Sequence, residues 1–96
     1  MLIDKGVVPG EVVTLKLTSG EELVSKLIDD GPLHIKVSKP MVLSMTPQGI
    51  GMMPYLFTVN PDKEVRIHKG TVSVMETTDK GFADQYLSST TGIKLG

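Results

Sequence analysis

Cysteine is absent from this 96-residue chain, and tryptophan with it. Without cysteine there are no disulfides and no thiolate metal ligands. Small secreted domains usually depend on such staples, so the expected compartment is the cytoplasm. Aromatic rings are few, confined to Tyr55, Phe57, Phe82 and Tyr86, and the core must rest on Val, Leu, Ile and the six methionines. A core of that kind is small and somewhat plastic. No basic segment followed by a long apolar run stands at the start, and no run approaches the ~20 apolar residues that span a bilayer. The expectation is a protein without an export or membrane signal. Charge of one sign is lacking too: the net charge is −1, so no broad basic field draws nucleic acid, and any such site has to be local.

What is present suits one ordinary folded domain spanning 1–96. Hydrophobic residues make up 40% and charged residues 22%, far from a disordered composition, and the length allows one modest core. From Val12 to Leu17, Val13, Leu15 and Leu17 alternate with Thr14 and Lys16, the pattern of a half-buried strand. Thr18-Ser19-Gly20-Glu21 offers a glycine where the chain must reverse. Glu22 to Asp29 reads as a second strand with apolar residues on both faces, Leu23 and Leu27 against Val24 and Ile28, as in a curved strand covered on both sides. Asp29-Asp30-Gly31-Pro32 ends it.

Leu33, Ile35 and Val37 then alternate with His34, Lys36 and Ser38 in a third strand, and Pro40 demands an edge, a bend or a bulge before Met41 to Met45 continue it. Thr46 to Gly51 reads as a loop, Met52 to Val59 as a strand kept near an edge by Pro54, and Asn60 to Lys63 as a turn. Short strands follow at Glu64 to His68 and at Thr71 to Glu76. Thr78 or Asp79 can cap a final helix with Phe82, Tyr86 and Leu87 on one face and Gly92 closing it. That helix is expected on the rim of the sheet. The tail from Ser88 to Gly96 is polar and small, either disordered or ordered by a neighbouring subunit. The expected class is all-β, with five or more short strands in the core 11–76 and a helix and tail over 79–96.

Gly20 in the first turn, followed by Asp30, Leu33, Ile35 and Val37, resembles the first signature motif of the Sm and LSm proteins; His34 stands where that family has Asn. Ile67-His68-Lys69-Gly70-Thr71-Val72-Ser73-Val74 is similar to the second signature, with Lys69-Gly70 in place of Arg-Gly, and the bacterial Hfq branch shares the spacing of Lys69, Val72 and Ser73. The resemblance covers Glu11 to Glu76. It implies a small, strongly bent five-stranded Sm-like (SH3-like) barrel, a homo-oligomeric ring, and a central pore lined by Asp30, His34 and Lys69 that holds single-stranded, uridine-rich RNA, with His68 a further candidate for RNA binding. The chain departs from the family in two further ways: Pro32 occupies a place from which related proteins stack a ring on a base, and the evident helix is C-terminal, not N-terminal.

Each of these residues also has a purely structural reading. Asp30 can cap a turn, His34 can be an outward polar residue of an alternating strand, and Lys69 can be a solvated turn residue. With only two histidines, a metal site needs Asp30 or Glu64 to complete it, and no known ligand spacing is present. No Gly-x-Ser-x-Gly nucleophile motif occurs, and Gly49-Ile50-Gly51 lacks the third glycine of a dinucleotide fingerprint. The expectation is a binding module without cofactor or metal, not an enzyme. Met41, Met45, Met52 and Met53 read as core, as an adaptable docking surface or as a subunit interface. The alternative function is a structural or adaptor component of a larger assembly that keeps the fold without binding RNA.

Overall fold

The computed structural model describes residues 6–91. Val13, Leu15 and Leu17 are fully or almost fully buried, which makes Val12–Leu17 (β1) the strand their alternation predicts. At Gly20 the φ of +111° lies where only glycine is unstrained, and the chain reverses there into Glu22–Asp30 (β2). β3 (His34–Thr46), β4 (Gly49–Pro54), β5 (Val65–His68), a single 3-10 turn at Lys69–Thr71, β6 (Val72–Thr77) and the helix α1 (Lys80–Thr90) follow. All pairings are antiparallel, in the order β4-β3-β2-β1-β6, with β5 on the first half of β3.

The class is all-β with one short C-terminal helix, as expected; among the described residues the strands number six, within the five or more read from the chain but one more than the resemblance implies, and the sheet does not close on itself. The long β3, with 13 residues, pairs with β5 over His34 to Val37 and with β4 over Met41 to Thr46. Two further boundaries differ from expectation. Thr46 to Gly51 is no loop: β3 and β4 are joined directly through Pro47 and Gln48, and Thr46 faces Gly49. The strand expected over Met52 to Val59 stops at Pro54, which leaves residues 55–64 outside any strand.

The bend in β3 has a definite cause. Val24 faces Met41 and Lys26 faces Ser38, so Ser25 alone opposes both Lys39 and Pro40, a β-bulge. Pro40 has no N–H to lose from the ladder, and Lys39 takes the left-handed φ of +49°. One inserted residue reverses the parity of everything after it. Before the bulge Ile35 and Val37 enter the main core with Leu15, Leu23 and Leu27; after it Val42 does, while Met41 and Leu43 turn to the other side. There they meet Val12, Val24 and Met52 beneath α1. β2 is thus covered on both faces, as its paired apolar positions predict.

Asp79 caps α1, its carboxylate accepting the Gly81 N–H at 3.3 Å, and Thr78 anchors the approach through the carbonyl of Val12 at 3.0 Å and the hydroxyl of Thr14 at 2.9 Å. Of the three residues expected on the packing face, Tyr86 is the buried one, joined by Ala83; Phe82 and Leu87 remain partly exposed. The Tyr86 hydroxyl reaches the bulge itself. It donates to the Ser38 carbonyl at 2.7 Å, with the Lys39 carbonyl at 3.0 Å, and accepts the Lys26 N–H at 3.2 Å. Ser25, fully buried, donates to the same Ser38 carbonyl at 2.7 Å. Backbone groups that the bulge removes from the ladder are satisfied by these two hydroxyls. The helix continues through Thr90, so Ser88 to Thr90 belong to it and not to a tail; Gly92 and the rest of the expected tail lie outside the described residues.

Candidate functional site

Asp30 ends β2 and His34 opens β3; His68 ends β5 and Lys69 opens the 3-10 turn. Sheet register brings the two segments together, because His34 pairs directly with His68. Their rings meet edge to face, centroids 5.2 Å apart at 84°, a favoured aromatic geometry. Beside them the Lys69 ammonium lies 2.7 Å from the Asp30 carboxylate. All four residues singled out from the sequence therefore share one end of the sheet.

Backbone hydrogen bonds fix the cluster. The Lys69 N–H donates to the Leu33 carbonyl at 2.8 Å and the Gly31 N–H to the His34 carbonyl at 2.9 Å. A Cβ at position 31 would sit 3.0 Å from that carbonyl, a tight contact that a larger residue could make only if the carbonyl shifted. The Gly70 N–H donates to His68 Nδ1 at 3.0 Å. An amide can only donate, so Nδ1 is bare and a neutral His68 carries its proton on Nε2. His68 is thus both a cap for the 3-10 turn and an N–H donor turned elsewhere. The pairing of Lys69 with Asp30 offsets one charge by the other, and the pair, with side chains 40% and 34% exposed, keeps unused donor and acceptor positions next to each other.

Leu33, which occupies an apolar position of the resembled motif, is 64% exposed beside the cluster and takes no part in the core. A shallow cavity of about 290 Å³ adjoins Lys69, lined by Ile35, Val72, Val74 and Met75, along the seam where the sheet fails to close. A larger one of about 360 Å³ lies among Pro40, Met41, Leu56, Phe57 and Val59, and shares no lining residue with the cluster. The four methionines divide: Met41 and Met52 pack beneath α1, while Met45 and Met53 are exposed. Among the described residues no three His, Asp or Glu side chains gather as metal ligands, and no helix is long and apolar enough to cross a membrane.

Two residues of this end escaped the sequence reading. Lys36 and Arg66 face each other one step along the same ribbon from the histidine pair. Alternation places both on the polar side of their strands, but nothing short of the β3–β5 register reveals that they meet. No family model matches the chain, and no curated protein sequence matches it.

Proposed function

We propose that the chain is an Sm-like binding module that assembles as a homo-oligomeric ring and holds single-stranded, uridine-rich RNA at Asp30, His34, His68 and Lys69, without catalysis. The observation that carries this reading is the convergence of those four residues, from segments far apart in the chain, on one end of the sheet. Lys69 and the ring N–H groups supply donors, and Asp30 supplies acceptors, at the range where unpaired bases are read on their edges. Ring assembly is supported by strands left with an unpaired side, since among the described residues β6 pairs only with β1 and β4 only with β3. A neighbour can complete such edges, and repeated head-to-tail pairing gives a ring where the rotation between subunits closes. The cytoplasm is the compartment that goes with this reading.

Native mass spectrometry of the protein, alone and with oligo-uridine, tests it. A closed oligomer that takes up one RNA, with binding abolished in Lys69→Ala, is the expected result; a stable monomer sinks the ring, and an oligomer indifferent to RNA sinks the ligand. That last outcome is the one expected of an adaptor, the second reading, which is favoured by the exposure of Leu33, Met45, Met53 and Phe57. Where such residues lie together, they form the kind of apolar surface that a partner covers.

A further inference from the structure

The outer face of the β3–β5 ribbon carries charge that the candidate site leaves unused. His34 and Lys36 stand directly opposite His68 and Arg66, and directly opposed residues of antiparallel strands share a face. Ile35 and Val37 turn inward to the core with Val65 and Ile67 packed against them, so these four point outward. Lys36 against Arg66 is a like-charge pair, an arrangement that weakens a sheet. Asp29 lies opposite Lys36 on β2, yet among the described residues the close ion pairs are Lys39–Asp62, Lys69–Asp30 and Lys80–Asp84. None of them includes Lys36, Arg66 or Asp29, and Asp30 is already engaged by Lys69. Nor does α1 cover this ground; it packs over Val12, Val24, Met41, Leu43 and Met52.

Outward residues of a strand recur about every 6.6 Å. Lys36 with Arg66 and then His34 with His68 are successive steps, each comparable to one nucleotide of an extended single strand, and Lys69 follows in the turn beyond the end of β5. We infer that this face is a track for the phosphodiester backbone of single-stranded RNA as it runs on from the candidate site, with phosphates resting on Lys36 and Arg66. The inference rests on the proposed RNA site at Asp30, His34, His68 and Lys69. Phosphate binding carries no base information, so the track lengthens the footprint and strengthens binding without selecting sequence.

The test is fluorescence anisotropy on the full chain with a short oligo-uridine of about 5 nucleotides and a long one of about 15, within the range of known single-strand sites, from about 50 to about 200 mM salt. Three proteins are compared: the unaltered chain, Lys36→Gln with Arg66→Gln, and Lys69→Ala. Each phosphate neutralised on a single strand adds about 0.7 to the salt slope, so the double variant, which leaves two phosphates unmet, is expected to lower the slope for the long RNA by about 1.4. Its affinity for the short RNA stays the same, and its melting temperature holds or rises as the like-charge pair is relieved. An unchanged slope with the long RNA, or a lowered melting temperature, overturns the track and leaves the proposed site standing. A slope cut by the double variant while Lys69→Ala binds normally overturns the proposed site and leaves the track. If the unaltered chain binds neither RNA, both fall.

Discussion

Tyr86 joins helix to sheet at a single atom, and removing that atom isolates what it does. In Tyr86→Phe the ring still fills its place against Val12 and Val24, but the Lys26 N–H loses the oxygen it donates to and the Ser38 carbonyl keeps only Ser25. Leaving one buried donor unmet costs about 1–3 kcal/mol, so the expected loss is about 2 kcal/mol, or a fall in melting temperature of about 8–15 °C for a domain of this size. Burial pushes the Tyr86 phenol above its ordinary value of 10.0, with hydrogen bonding from the Lys26 amide and neighbouring hydroxyls partly opposing the shift. Between the unfolded and folded values the unfolded chain has given up a proton that the folded chain keeps. The contribution is therefore complete below about pH 10 and declines as pH rises through the folded value, at up to about 1.4 kcal/mol per pH unit. Urea denaturation at pH 7 and at steps through the alkaline range measures both effects. The gap between the two proteins should be about 2 kcal/mol at pH 7 and should narrow above pH 10. A gap below about 0.5 kcal/mol at pH 7, the scatter of ordinary surface changes, or two curves falling in parallel above pH 10, would refute the role assigned to the hydroxyl.

Other outcomes follow from the same geometry. Gly20→Ala forces a side chain into φ +111° and should cost about 1 kcal/mol or more although the space is open, as chemical denaturation will show. Leu27→Ala empties a fully buried position in the main core and should cost about 2–5 kcal/mol; a smaller loss in calorimetry would mean that the core collapses around the gap. Asp30→Asn breaks a partly exposed ion pair and should change stability by no more than about 1 kcal/mol, so a larger drop in urea melts would make the pair a structural clamp. Lys69→Ala should abolish oligo-uridine binding in an anisotropy titration, and binding that survives would mean that Lys69 is not part of the site.

Local patterns in the chain settled more than its length suggests. Alternation of Val13, Leu15 and Leu17, the glycine at position 20, the Asp at 79 and the proline at 40 act within a few residues, because strand period, turn, cap and bulge are each decided by nearest-neighbour stereochemistry. Those features fixed β1, the first hairpin, the start of α1 and the break in β3, and the polar positions of Asp30, His34, His68 and Lys69 could be picked out beside them. Register is a different kind of fact. Which half of β3 meets β4 and which meets β5 depends on the parity change at Lys39 and Pro40 and on the Tyr86 hydroxyl that satisfies it from 47 and 48 residues away along the chain. Only that pairing places His34 on His68 and Lys36 on Arg66, since the energy of a cross-strand pair belongs to two distant residues at once and is written in neither alone.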